Sequence, residues 1–257
     1  MKSSNGKSGL NVFQTCRSSM SPKMQLACDD CSEQSFLPHS CGHRHCPYCQ
    51  AFESQRWIDQ QLQKLIPGNY FMVTFTLPAQ FGALAWQHHR VMYDLIIRSA
   101  WETVNTFSQN DKKLRGTTGA VTVLHTHNRR LDYHPHVHLV MPAAVFDKKQ
   151  RLWCNKGGGY LFSHKALAKV FRARVLGGIK QAGLKLPGDY PTDWVVDCKS
   201  VGSGQPALLY LGRYLYRGVI QEKDILSCDN GNVTFRYKNS QTNQTQTRTL
   251  RTCLVKN

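Results

Sequence analysis

The sequence predicts an α+β chain in two parts, a small Cys-rich domain over residues 1–60 and a larger domain over residues 61–257 built on a central antiparallel sheet. Three observations lead there. Six of the ten cysteines fall within the first 49 residues. Beyond residue 70, β-rich runs alternate with runs of helical periodicity. Two of those β-rich runs also lie close enough together to form a hairpin.

The elements follow in order. YFMVTFTL (70–77) is rich in aromatic and β-branched residues and is closed by Pro78, so it reads as a strand. Residues 83–107 carry apolar side chains at helical spacing. VTVLH (121–125) and HVHLVM (136–141) flank the polar stretch NRRLDY and read as an antiparallel hairpin. SHKALAKVFRARVLGGIKQAG opens on Ser163, a suitable N-cap, and fades into glycine, which marks a second helix. DWVVDC (193–198) reads as another strand, and Pro206 suits the first turn of a third helix over 207–217. The order β-α-β-β-α-β-α is the ferredoxin-like split pattern with one added helix. ILSCDNGNVTFRY then reads as a hairpin turning over 229–232, and the tail SQTNQTQTRTLRTCLVKN shows no core pattern.

Composition narrows the class. With 41% hydrophobic and 19% charged residues, neither a disordered nor a collagen-like chain fits. No run of ~18 apolar residues suggests a membrane span, and the first residues lack the apolar core of a secretory signal. A cytoplasmic, nucleoid-associated protein is expected, with no membrane partner. Lys and Arg number 33 against 16 Asp and Glu, a formal charge of +17. The field of such a protein attracts polyanions, so a nucleic acid is the expected partner.

The densest motif is CDDCSEQSFLPHSCGHRHCPYC. Cys28 and Cys31 form one C-x-x-C pair and Cys46 and Cys49 a second, a zinc-ribbon-like spacing. A structural Zn²⁺ held by these four would replace a core too small to form in so short a segment. Cys41, His43 and His45 are surplus to that set and could exchange with one of its members or serve a second site. Cys16 is upstream and is expected to be a buried thiol.

His134, His136 and His138 alternate along one β run, so all three share a sheet face while Val137 and Leu139 turn to the opposite, buried face. Imidazoles so placed can share a divalent cation, although His-x-His also serves zinc hydrolases. His125 and His127 on the preceding run could face the same site or simply complete the hairpin. On the third helix, a rotation of ~100° per residue places Tyr210, Arg213, Tyr214 and Arg217 on one face, with Leu208, Leu211 and Leu215 opposite. A Tyr hydroxyl can act as a covalent nucleophile, a cation can polarise a phosphodiester, and arginines can offset charge on its nonbridging oxygens.

Taken together, His136-Val137-His138, SCGHRHCPYCQ, LHTHNRRLDYHPHVHLV and LLYLGRYLYRGVI resemble the two-tyrosine HUH rolling-circle transposases of the insertion sequence ninety-one family. The likeness covers about residues 16–250. It implies an HUH nuclease domain after the zinc domain, with cleavage and joining of single-stranded DNA at transposon ends through a 5′-phosphotyrosine link. It places the nucleophiles on Tyr210 and Tyr214 and ligands for Mg²⁺ or Mn²⁺ on His136 and His138. For the third ligand usual in HUH enzymes, His127, Asp197 and Gln205 are the candidates. Family members commonly continue past the VTFRYKN-like hairpin, so this copy is expected to be shortened. The competing readings are a plasmid replication initiator or relaxase with the same chemistry, a non-catalytic zinc DNA-binding protein, and a zinc hydrolase.

Overall fold

A computed structural model of the chain describes residues 15–43, 46–216, 219–239 and 242–251. The chain divides into two compact units, one of residues 1–63 with 212–218 and one of residues 64–211 with 219–257.

The first unit contains a hairpin, β1 (Lys23–Ala27) and β2 (Gln34–Pro38), and helix α1 (Pro47–Leu62). Pro47 at the first helical position starts α1 where no intrahelical N–H is needed. Ser54 donates its hydroxyl to the Gly212 carbonyl at 2.9 Å. A Cβ at Gly212 would stand 2.3 Å from Ile58 Cγ1, so this backbone approach requires glycine.

The second unit is built on β3 (Tyr70–Thr76), β4 (Val121–His127), β5 (Tyr133–Pro142) and β8 (Val196–Ser200), paired antiparallel in the order β4-β5-β3-β8. Numbered by appearance this is 2-3-1-4, the predicted ferredoxin-like arrangement, with the histidine strand β5 in the interior. The strand before the third helix, β8, pairs with β3 and lies two places from β5.

One sheet face carries Phe71, Val73, Phe75, Val137, Leu139, Met141, Val196 and Cys198, all buried in the main core. Helices α3 (His89–Asn110) and α4 (His164–Gln181) supply the rest of that core through Met92, Leu95, Ile96, Phe171, Val175 and Ile179. Ser163 caps α4 as expected, its Oγ accepting from the Ala166 N–H. The predicted first helix is divided. A short helix α2 (Gly82–Gln87) ends at His88, whose backbone (φ −120°, ψ 42°) leaves the helical region before α3 begins.

A small hairpin, β6 (Ala144–Asp147) and β7 (Leu152–Asn155), follows β5. A separate three-stranded sheet contains β9 (Ile225–Asp229), β10 (Asn232–Lys238) and β11 (Thr245–Arg251) in the order β11-β10-β9. Asn230 and Gly231 both have positive φ, as a tight hairpin turn demands. β11 arises from the tail that shows no core pattern in sequence. Its strand is exposed at every second residue, so it buries too little apolar surface to leave a hydrophobic signature.

The third helix, α5 (Gln205–Tyr216), is launched from Gly204. Gly204 sits at φ +79°, and a Cβ there would fall 2.6 Å from Tyr70 Cγ. Tyr70 cannot retreat easily, because its Oη accepts from the Ile66 N–H at 2.9 Å. Gly204→Ala is expected to lower unfolding free energy by roughly 2–4 kcal/mol, read as a lower urea midpoint with unchanged slope.

Candidate functional site

The cysteine group in the first unit is not the four-residue set predicted. Cys16, Cys41, Cys46 and Cys49 bring their sulfurs within 4.8 Å of one another. Cys16 Sγ and Cys41 Sγ each lie 3.6 Å from Cys49 Sγ. Four thiolates around a tetrahedral Zn²⁺ at ~2.3 Å stand about 3.8 Å apart, so the group fits structural zinc. Burial raises the Cys49 thiol, but hydrogen bonds from Ser40 Oγ and then from Cys16, the Gly42 N–H and Cys41 outweigh it, bringing the thiol down to about 6. A thiol so poised ionises readily, as a zinc ligand must.

The β1–β2 register explains the correction. His39 N–H donates to the Pro22 carbonyl at the base of the hairpin, and Ala27 pairs with Gln34 near its tip. Closing the hairpin therefore draws Cys16 and Cys41 together beside its base. Cys28 and Cys31 are carried to the exposed tip, five strand residues or about 17 Å away. Their C-x-x-C turn does form: the backbone N–H of Cys31, then that of Asp30 and the Cys31 thiol, hold the Cys28 thiol below its ordinary range. Cys46 and Cys49 are thus the two predicted ligands that join the group, Cys16 is more than a buried thiol, and His43 is exposed outside it. His45 lies outside the described residues.

The second group stands on the sheet face opposite the helices α3 and α4. Ligand nitrogens of His125, His136 and His138 all lie within 4.8 Å of one another. Strand alternation accounts for His136 and His138, and the β4–β5 register places His125 directly opposite His136. The rings meet edge to face, His125 with His136 at 5.2 Å and with His138 at 4.6 Å between centroids. His138 Nδ1 is 2.9 Å from Thr74 Oγ1, and His136 Nδ1 is 2.7 Å from the His134 carbonyl oxygen. With each Nδ1 engaged, the Nε2 of both rings remains as the ligand nitrogen. Three imidazoles leave further coordination positions open, as a reacting oxygen would require.

The candidates His127, Asp197 and Gln205 do not join this group. A bulge between His125 and His127 makes His127 pair with Tyr133, whose side chain turns toward the helices. Asp197 lies across β3 from the histidine strand and is engaged by Lys199 at 3.0 Å. Gln205 is exposed at the start of α5. His134 shares the site face but stays outside the group. His125, which the sequence leaves between this site and a purely structural place in the hairpin, is the third member of the group, and Thr74 becomes visible only once β3 pairs with β5.

Thr74→Val keeps the shape and removes the partner of His138 Nδ1, so the expected result is a 10- to 100-fold weaker divalent-cation affinity with the fold intact. Calorimetric titration with Mn²⁺ checks it.

Burial, then the neighbouring charge of His136, pushes His125 from 6.5 down to about 4. Burial, with His125, His136 and Lys199 adding repulsion, pushes His138 down to about 3. Below pH 6.5 the unfolded chain therefore takes up protons that the folded chain refuses, and folding stability falls as pH drops from about 6.5 toward 4. Each such proton is worth about 1.4 kcal/mol per pH unit. Denaturant melts in chelator across that window, compared with a His125→Asn, His138→Asn variant whose slope is shallower, measure it.

Tyr210 stands over this group, 38% exposed, its ring centroid 6.5 Å from that of His125 and 6.4 Å from that of His138. Leu208 and Leu211 are buried as the helical rotation predicts, whereas Leu215 is 40% exposed. Arg213 is exposed and Tyr214, one turn after Tyr210, is half-buried. Arg217 lies outside the described residues. Among the described residues, no helix is long and apolar enough to cross a membrane.

Comparison with known proteins matches residues 119–253 to the sequence family described as "Putative transposase" and residues 2–77 to the one described as "Transposase zinc-binding domain", that of insertion sequence ninety-one. "Putative transposase y4qJ" of Sinorhizobium fredii is 30% identical over 251 residues, covering 89% of this chain and 63% of its own length. "Transposase for insertion sequence element IS801" of Pseudomonas savastanoi pv. phaseolicola is 28% identical over 242 residues, covering 86% of this chain and 57% of its own length. The chain thus spans about three fifths of the length of these curated relatives. Among solved structures, the conjugative relaxase TrwC in complex with OriT DNA is similar over 49% of this chain and 48% of that one, with 17% identity and a TM-score of 0.38. With the family described as "Putative transposase" matching more than half its residues, this chain belongs to that family, and it carries before that stretch a match to the zinc-binding domain of insertion sequence ninety-one transposases.

Proposed function

We propose that this chain cleaves and joins single-stranded DNA at transposon ends through a phosphotyrosine intermediate. The observation that carries the reading is the meeting of Tyr210 with His125 and His138, a nucleophile beside a three-imidazole group. In the first step the Tyr210 hydroxyl oxygen attacks the scissile phosphorus as its proton leaves. The P–O3′ bond breaks, the departing 3′ oxygen takes up a proton, and the 5′ phosphate stays on the tyrosine. Arg213 and, as the sequence motif implies, Arg217 would offset charge on the nonbridging oxygens. Tyr214 supplies a second hydroxyl for a further transfer.

His125, His136 and His138 would hold the divalent cation, which when bound lowers the charge that the phosphate presents to the attacking oxygen. Mg²⁺ and Mn²⁺ both suit the reaction, and three nitrogen donors favour Mn²⁺ over the harder Mg²⁺. The four-cysteine group holds zinc as a structural element of the first unit. A surplus of basic residues draws the single strand to the protein.

The test mixes the protein with labelled single-stranded oligonucleotides spanning both ends of the host element, with Mn²⁺ or with chelator. A Mn²⁺-dependent band that survives denaturation supports the reading. Salt-sensitive binding without that band would instead leave a non-catalytic zinc protein that occupies DNA ends.

A further inference from the structure

Beyond the histidine group, on the helix side of the same hairpin, lies a second concentration of rings. Trp86, the penultimate residue of α2, is 65% exposed and meets Tyr133 edge to face at 5.2 Å and 86°. Tyr133 in turn touches the His127 ring at 5.7 Å, and its hydroxyl is 2.9 Å from that of Tyr93. His89 packs on Tyr93 at 6.0 Å. These contacts fix the rings from below and beside, so Trp86 is braced at its base while most of its surface faces solvent.

The surroundings are basic. His88, His89 and Arg90 follow Trp86 along the chain, all exposed. Arg129 and Arg130, also exposed, occupy the β4–β5 turn beside Tyr133. The turn's carboxylate, Asp132, is engaged by Arg248 at 2.6 Å and by Arg130 at 3.5 Å. A large exposed aromatic ring among cations is unsuited to a basic partner, and it suits a planar base attached to a phosphate chain. Its place along the hairpin is also informative. His125 pairs with His136, and one bulge further on His127 pairs with Tyr133, so the ring cluster lies at the turn end of the two strands that carry the histidines.

We infer that Trp86 is a stacking platform for an unpaired nucleobase of the single strand whose phosphate reaches the histidine group, with Arg90, Arg129 and Arg130 holding the flanking phosphates. This rests on the single-strand reading above. Stacking requires the base to be out of a duplex, so the platform favours single-stranded over double-stranded DNA whatever the sequence.

The test measures binding of wild type, Trp86→Ala and Trp86→Phe to two labelled probes by fluorescence anisotropy. One is a short oligothymidylate and the other an abasic sugar-phosphate strand of equal length. Trp86→Ala is expected to weaken oligothymidylate binding by about tenfold or more while leaving abasic binding unchanged, and Trp86→Phe to retain most of the affinity. The inference is overturned if Trp86→Ala binds oligothymidylate as wild type does, or if it weakens both probes equally. The Mn²⁺-dependent adduct of wild type, scored in parallel, separates the two ideas. An adduct with no Trp86 effect removes the platform and keeps the nuclease, whereas a wild type that neither binds single strands nor forms an adduct removes both. Because Trp86 is a surface residue, circular dichroism of Trp86→Ala should match wild type.

Discussion

A Tyr210→Phe, Tyr214→Phe double variant is expected to form no covalent DNA adduct above background while binding the same single-stranded oligonucleotide with near-wild-type affinity. The phenyl rings keep the packing of α5, so only the attacking oxygens are removed. Loss of a covalent nucleophile costs on the order of a thousandfold or more in rate. The single variants divide the roles. Tyr210 is the tyrosine whose ring stands against His125 and His138, so Tyr210→Phe should abolish first-strand cleavage. Tyr214→Phe should leave the first adduct and block the second transfer. Denaturing gels of labelled element ends in Mn²⁺ read both. Equal adduct formation by the double variant would exclude this helix as the source of the nucleophile.

The second large effect concerns the cysteines. Cys16→Ser or Cys49→Ser should release one zinc per chain and make the first unit sensitive to protease, because Cys16, Cys46 and Cys49 form most of a separate buried cluster there. Structural zinc contributes roughly 10–16 kcal/mol of apparent binding energy in small zinc domains, more than a short segment can replace by burial. Cys28→Ser and Cys31→Ser should retain that zinc, since both thiols sit at the exposed hairpin tip. Metal analysis of the four purified variants decides the matter. If Cys28→Ser releases the zinc that Cys46 and Cys49 hold, the ribbon-like pairing read from spacing is correct after all.

The histidine strand was legible because alternation along a strand is a local property: Val137 and Leu139 are fully buried and His136 and His138 share the opposite face. The split order of strands and helices was legible for the same reason, each element carrying its own periodicity and caps. α1 left a weaker trace, a proline at its first position within a Cys-rich stretch, and β11 left almost none.

What pairing decides, periodicity cannot reach. His125 and His127 are equivalent in sequence, two residues apart on one strand, yet a bulge between them sends the first to the histidine group and the second to Tyr133. Cys16 takes the place expected of Cys28, and Cys28 goes to the exposed tip, because hairpin register, not spacing, determines which thiols meet at its base. The sequence by itself determined the classes of chemistry: a thiolate group for zinc, imidazoles on one strand face, and a tyrosine helix in a strongly basic chain. Only the tertiary structure decided which atoms come together, because a ligand set is a property of register between strands, and register is settled by turns, bulges and core packing spread over the whole chain.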